Sequence, residues 1–444
     1  VTDYPDKGFV DTLRRTGGVP LVGHLTVGGS LFPPAEHSRQ PPLSLTELSK
    51  RSLRKFAGLQ SHPPAPSRRG NWSLLWDMAM QEVSSGRLLG PFDLSDLIAF
   101  SPTPGATLRH VIITPSKTRP VDDYRRSFVN ATTSVGHKVT LPDVSTFFSV
   151  FKQHWESLPS ALRTHPPSLR VFKVDHRDAY RQVPIWPEHR PLSNVVLWND
   201  SLQKYQGFFH TVLPFGAVSS VTGYLRLSSL MTHLCRTLFG IPVISYLDDF
   251  MGIEWSASCE DALNLVKELN TLCGLDLKAA KEIPPIDKAT LLGIDFDMSD
   301  PTMVTIGLAP DRLETLLTTI DDVLATGWCT TDAHIRKVVG RLAFACTIAK
   351  GRTLRSQVRT LIRSTYSATP DREAVNAALD DIQCFLRRST SPLSIFGRPH
   401  LSSTPMLRVH KAAMPVCVYP LREYGTSLIR YLSGSSVACQ TLHN

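Results

Sequence analysis

The chain has 444 residues, 42 % of them hydrophobic and 20 % charged, which is an ordinary globular balance with room for two to four domains. A formal net charge of +9 and a pI near 9.2 favour an anionic partner, nucleic acid before an acidic membrane surface. No apolar run approaches the ~20 residues of a membrane helix, and no secretory leader opens the chain.

The eight cysteines, at 235, 259, 273, 329, 346, 384, 417 and 439, include no Cys-x-x-Cys pair. That speaks against a zinc ribbon or a disulfide framework, and for reduced, mostly buried thiols in an intracellular protein. The chain begins with Val1, as a fragment or a piece of a polyprotein would.

Residues 1 to about 70, with Gly17-Gly18, Pro33-Pro34, Pro41-Pro42 and the run from Ser61 to Gly70, read as loop or linker around a short helix at Leu45–Phe56. An amphipathic helix is expected over Ser73–Ser84. From about 105 to 300, short strand-like runs alternate with helices. His110–Thr114, Val171–Val174, Asn194–Trp198, Val243–Tyr246 and Leu291–Phe296 read as strands, and Ser219–Leu238 and Cys259–Cys273 as helices. This order suggests an α+β layer and not a regular βαβ array.

After 305 the pattern is helical. Pro310 opens a helix with Leu313, Leu316, Leu317, Ile320, Val323 and Leu324 on one face. Thr331 or Asp332 caps a second, with Ile335, Val338, Val339, Leu342 and Cys346 inward. Arg336, Lys337, Arg341, Lys350, Arg352, Arg355, Arg359 and Arg363 make this region basic, either as a solvated helix face or, if the motifs upstream are followed, as a contact for a phosphate backbone. The division expected is 1–85 as an irregular extension, 86–300 and 301–390 as two folded parts, and 391–444 as an unassigned tail.

The chemistry centres on Ser245-Tyr246-Leu247-Asp248-Asp249-Phe250, an apolar strand running into two acids and then into Met251-Gly252-Ile253, as in a β-hairpin with carboxylates at its turn. Adjacent carboxylates repel, and a divalent cation relieves them by taking both as oxygen ligands. Asp-Asp alone says little, since Asp122-Asp123, Asp321-Asp322 and Asp380-Asp381 also occur. A second acid ends another apolar strand, Phe172-Lys173-Val174-Asp175. Two strands that bring carboxylates to one edge can hold two cations for phosphoryl transfer.

Tyr246-Leu247-Asp248-Asp249 resembles the Tyr-x-Asp-Asp box of reverse transcriptases, and Asp175-His176-Arg177-Asp178-Ala179-Tyr180 their first palm motif. Leu213-Pro214-Phe215-Gly216 resembles the motif beneath template and nascent base pair, and Arg119 to Arg125, ending at Asn130, the fingers motif. Gly274-Leu275-Asp276-Leu277 through Lys281 resembles the fourth palm motif, and Leu292-Gly293-Ile294 the primer-grip strand. Six elements in one order make coincidence a poor explanation.

The resemblance implies a right-hand polymerase: fingers and α+β palm over 86–300, and a helical thumb over 301–390. It implies RNA-directed DNA polymerisation with two Mg²⁺, Mn²⁺ substituting, on a template–primer with deoxynucleoside triphosphates, in cytoplasm or nucleus and away from membranes. Asp175 and Asp248 become metal ligands, Asp249 a weaker one, and the Val174 carbonyl a further ligand. Arg119 and Lys117 would hold the triphosphate, although for Lys117 an exposed loop cation is an equal alternative. Tyr180 becomes the gate against a 2′-hydroxyl, with Asp178 and Ala179 leading into it. Phe215 and Gly216 lie beneath the nascent pair. Lys281 is a candidate general acid for pyrophosphate, or a solvated lysine.

The chain also departs from the common pattern. Ala217-Val218-Ser219-Ser220-Val221 stands where many retroelement enzymes have Asn-Ala-Pro. Asp122-Asp123 and Gly90-Pro91-Phe92 suggest the tyrosine-recombinase, or DIRS-type, elements. The rival readings are an RNA-dependent RNA polymerase, against which Tyr180 and Tyr246 argue, and an inactive or domesticated copy that only binds nucleic acid.

Overall fold

The computed structural model describes residues 3–388, with breaks at 30, 36–40, 65–70, 102, 116, 164, 302, 327–337, 346–353 and 368–370, and residues 393–394. The fold is mixed α+β with several sheets. Contacts divide the chain into two units. The first comprises 1–142, 174–251 and 265–282, and the second 143–173, 252–264 and 283–444.

The principal helices are α1 (Lys7–Thr16), α2 (Leu45–Ser61), α3 (Trp72–Ser84), α4 (Leu94–Phe100), α5 (Val144–Ser157), α6 (Val218–Phe239), α7 (Cys259–Leu272) and α8 (Pro310–Thr326). The strands are β1 (Gly23–Leu25), β2 (Leu88–Asp93), β3 (Thr107–Thr114), β4 (Lys117–Asp122), β5 (Thr133–Val135), β6 (Leu169–Asp175), β7 (Val195–Asn199), β8 (Lys204–His210), β9 (Val243–Tyr246), β10 (Asp249–Trp255), β11 (Ile283–Ile286), β12 (Lys288–Leu291), β13 (Ile294–Asp300) and β14 (Met303–Leu308). The division between units falls inside β6 and β10.

In the first unit a five-stranded sheet runs in the order β2–β8–β7–β3–β4, antiparallel except for the β3–β7 pair. Along β7 and β8 consecutive residues are buried, so both faces are covered and apolar residues run on instead of alternating. Val195, Leu197 and Phe208 pack there with Phe56 of α2 and with Leu75 and Ala79 of α3. Helix α2 starts where Ser44 accepts from the Glu47 N–H at 3.2 Å, and α6 stops where Gly240 turns left-handed at φ 69°.

The N-terminal stretch carries more structure than its Gly and Pro content suggested. Helix α1 buries Phe9, the Tyr4 hydroxyl donates to the Arg226 carbonyl at 2.9 Å, and fully buried Asp6 accepts from Arg226 Nη2 at 2.9 Å. Its partners lie 220 residues away, so no local pattern announced them.

In the second unit β12, β13 and β14 form an antiparallel sheet that the two-residue strand Leu393–Ser394 extends beside β14, and Phe147 and Phe151 of α5 pack on Phe296 at ring separations of 4.9 and 6.1 Å. Helix α5 opens on a reciprocal cap between Asp143 and Thr146. The stretch Leu291–Phe296, expected as one strand, is instead the end of β12, a turn and the start of β13. Leu292 (φ 55°) and Gly293 (φ 80°) form the two-residue turn, both left-handed as an I′ hairpin requires. The apolar face expected on α8 packs into a helical cluster, with Leu316, Ile320 and Val323 against Leu342, Leu361 and Leu379. Thr331, Asp332, Ile335 and Cys346 lie outside the described residues, as do all but two residues of the 391–444 tail. Among the described residues no helix is long and apolar enough to cross a membrane.

Candidate active site

All of the following contacts lie within the first unit. Strand β6 ends on Asp175, which is 2 % exposed, and β9 and β10 meet at Leu247-Asp248. Leu247 has φ 54°, the left-handed first position of a tight hairpin turn, which costs a non-glycine residue about 1 kcal/mol or more. The His176 N–H donates to the Asp248 carbonyl at 3.0 Å. The two acidic positions singled out in the sequence are therefore held by directly bonded backbone, and Asp249 follows as the first residue of β10.

Lys281 completes the group. Its Nζ donates to Asp175 Oδ2 at 2.7 Å, and the Lys278 N–H donates to the Asp175 carbonyl at 2.8 Å. The hydrogen bond to Asp175 raises the Lys281 pKa, with the Asp248 and Asp249 charges adding to it. Burial lifts the Tyr224 phenol well above its usual range, helped by the same three carboxylates. Asp175, Asp248 and Asp249 thus act on one small region. Among the described residues no group of three or more His, Cys, Asp and Glu side chains is drawn together tightly enough to hold a metal ion. The hard oxygen donors nevertheless suit a divalent cation, and a buried carboxylate that already carries a cationic partner fits one.

The gate segment follows directly. Asp178 (φ 56°) and Ala179 (φ 31°) are both left-handed, a conformation of order 1–3 kcal/mol per residue that surrounding contacts must impose. Asp178 Oδ2 accepts from Arg87 Nη1 at 2.7 Å. The half-buried Tyr180 ring lies 5.4 Å from Phe215 and 5.3 Å from Tyr224, and burial raises its pKa, with Asp248 contributing. Gly216, at φ 96°, sits where a Cβ would come within 2.6 Å of the Asp122 carbonyl, so only glycine lets these two backbones approach. Asn130 clamps the same loop, donating to the Gly216 carbonyl at 2.9 Å and accepting from the Val218 N–H at 3.0 Å.

Other expected positions are less closely gathered. Arg119 lies on β4, paired with Ile112 of β3. Lys117 begins β4, and its side chain lies outside the described part of the structure. Of the basic residues of the second unit, Arg359 and Arg363 are exposed, while Arg336, Lys337, Lys350 and Arg352 lie outside the described residues.

Two groups carry no sequence signal. Beneath the acids, Asn270 donates to the Val266 carbonyl at 2.7 Å, so its Oδ1 accepts from His176 Nε2 at 2.7 Å, and His176 Nδ1 then accepts from the Tyr224 hydroxyl at 3.0 Å. Burial lowers the His176 pKa, consistent with this neutral tautomer.

The second group is a buried ion network. Arg109 grips Asp122 with Nε at 2.7 Å and Nη2 at 3.2 Å, and reaches Glu82 with Nη1 at 3.1 Å. Arg181 Nη1 donates to His210 Nδ1 at 2.6 Å, and its Nη2 lies 3.0 Å from Glu82 Oε2 without the alignment of a hydrogen bond. Arginine can only donate, so His210 keeps Nδ1 bare and gives its Nε2 proton to Asp122 Oδ2 at 3.0 Å. Burial and the neighbouring Arg181 push the His210 pKa down to about 4. Burial works against the Asp122 charge, but Arg109 and His210 overcome it and hold that carboxyl far below the usual range. Two arginines and two carboxylates around a neutral histidine leave the network balanced.

No family model matches the chain, and no curated protein matches it. Among the solved structures similar to the chain are the foamy viral protease-reverse transcriptase, dRH form, in complex with double-stranded DNA, and the foamy viral protease-reverse transcriptase in complex with an RNA/DNA hybrid. Each aligns at a TM-score of 0.46 and 14 % identity over 82 % of this chain, and the match spans 53 % of the first foamy viral chain and 41 % of the second.

Proposed function

We propose that the chain is the polymerase part of a retroelement reverse transcriptase, which extends a primer with deoxynucleotides on an RNA or DNA template. The observation that carries this reading is the 3.0 Å bond from the His176 N–H to the Asp248 carbonyl. It joins the Asp175–Tyr180 motif to the Tyr246–Asp249 box at the end of β6, with Lys281 on Asp175. The sequence supplies the rest, six motifs in the order the family uses. On this reading 86–300 forms fingers and palm, and 301–390 the thumb. Membership of the DIRS-type elements rests on Asp122-Asp123 and Gly90-Pro91-Phe92 alone.

Asp175, Asp248 and the Val174 carbonyl would hold two Mg²⁺, or Mn²⁺ in their place, with Asp249 a weaker ligand. Such ions, when bound, lower the barrier to phosphoryl transfer by stabilising charge on the attacking and leaving oxygens. The protein's own part is placement. Strand β6 and the Leu247 turn fix the carboxylates, Lys281 pairs with Asp175, Arg119 and Lys117 would neutralise the triphosphate, and Tyr180 on Phe215 would wall off the 2′ side of the sugar. Lys281 would supply the proton for the leaving pyrophosphate. The partners follow as template–primer and deoxynucleotides, in cytoplasm or nucleus.

The test is primer extension on an RNA template with deoxynucleotides and Mg²⁺, beside Asp248→Asn and Asp175→Asn. Extension by the wild type that each substitution abolishes, with template–primer binding kept, is the expected result. Wild-type binding without extension would favour a nucleic-acid-binding copy, and a preference for ribonucleotides an RNA polymerase.

A further inference from the structure

Tyr180 sits in a turn that the backbone does not favour. Asp178 and Ala179 before it are both left-handed. Side chains pin the turn on either side of the tyrosine: Asp178 is tied to Arg87 at 2.7 Å, and Arg181, the residue after Tyr180, is 5 % exposed and enters the buried network at His210 Nδ1. That network ends on Asp122, three residues along β4 from Arg119, and the Asp122 carbonyl is the atom that a Cβ at position 216 would meet at 2.6 Å. Phe215, next to Gly216, packs on the Tyr180 ring. One charge-balanced cluster therefore holds the tyrosine from behind and, through Asp122, the loop that faces it.

Resting on the polymerase reading, we infer that Arg181, with Glu82, Arg109, Asp122 and His210, is the positioning device that sets how strictly Tyr180 excludes a 2′-hydroxyl. None of the five touches substrate on this account. Arg181 acts through Tyr180, and Asp122 through Phe215-Gly216. The guanidinium donates to His210 Nδ1 at 2.6 Å through Nη1 while Nη2 brings its charge to 3.0 Å from Glu82, a two-ended contact that the single ammonium of lysine does not reproduce.

Two measurements on the full chain test this. The first is the ratio of deoxynucleotide to ribonucleotide kcat/KM in single-nucleotide extension for wild type and Arg181→Lys. The second, independent of activity, is hydrogen exchange by mass spectrometry over residues 176–183 and 214–217. Arg181→Lys is expected to lower the ratio at least about tenfold, with template–primer affinity unchanged. It should also speed exchange in those two segments while leaving 243–251 as it was. If Arg181→Lys does not fold, the pair Glu82→Gln with Arg181→Leu, which removes one charge of each sign, takes its place with the same two readouts. A folded variant with unchanged ratio and unchanged local exchange overturns the inference. Should the wild type fail to extend at all, the polymerase reading falls. The sugar-selection role falls with it, and local exchange then decides only whether the cluster holds the turn and the loop: faster exchange in the two segments shows that it does, and unchanged exchange overturns that too.

Discussion

Lys281 Nζ lies 2.7 Å from Asp175 Oδ2, a half-exposed ammonium against a carboxylate that is only 2 % exposed. The pairing answers the electrostatic problem of three acids in one region. A buried carboxylate is stabilised by a partner of opposite charge, and Lys281 is that partner for Asp175.

Replacing that cation should show the dependence. Lys281→Met is expected to lose about 1–2 kcal/mol of stability in chelator, a figure reduced from that of a fully buried pair because the lysine side is solvent-screened. Mg²⁺ should restore more stability to the variant than it adds to the wild type. Thermal unfolding with chelator and with Mg²⁺ measures both. Since the contact raises the Lys281 pKa, its contribution is complete at neutral pH and fades only as pH climbs past the ordinary lysine range. Equal melting temperatures in chelator would mean that the contact contributes nothing.

Shortening the gate is the direct test of sugar selection. Tyr180→Val should raise ribonucleotide incorporation relative to deoxynucleotide by at least about tenfold, or about 1.4 kcal/mol in the barrier. Competition between the two nucleotides on one primed template reads the ratio, and an unchanged ratio would remove Tyr180 from that role.

Acid should weaken the first unit through His210. Its pKa is about 4 in the folded chain and near 6.5 when unfolded, so between those values the unfolded chain binds the extra proton. Stability is then full above pH ~6.5 and declines as pH falls towards 4, by up to about 3 kcal/mol. His210→Gln, which cannot take up a proton, should flatten the decline in urea unfolding between pH 4.5 and 8. A variant as acid-sensitive as the wild type would place the lability elsewhere.

The chain of Tyr224, His176 and Asn270 makes a separate prediction. Tyr224→Phe strips the 3.0 Å donor from a buried His176 Nδ1 and should cost about 1–3 kcal/mol. Chemical denaturation gives the loss, and the nitrogen shifts of His176 report whether the proton stays on Nε2. A loss below about 0.5 kcal/mol would show that this acceptor is satisfied in another way.

What could be read in advance follows the range of each interaction. The strands ending at Asp175 and Tyr246, and helices α6 and α7, were legible because apolar spacing is local. The break at Leu292-Gly293 was hidden because two apolar stretches flanked a turn whose only marker was one glycine. Lys281 and Asp175 were each noticed for their own motif, but nothing in the spacing joins residues 106 apart. Asp122 had looked like a mark of lineage. Its work is to face Arg109 and His210, a partnership 88 residues long on the histidine side that only the folded chain reveals.

The bond between Asp6 and Arg226 bears on how such a protein can be cut and joined. The recognisable motifs begin well after α1, so a fragment trimmed to them, or a recombination junction placed just ahead of them, would look safe on paper. It would leave the Arg226 guanidinium, 8 % exposed in the middle of α6, without its carboxylate, and the Tyr4 hydroxyl would no longer cover the helix beside it. The opening residues and α6 are therefore one piece for anyone choosing where to cut, although more than two hundred positions separate them.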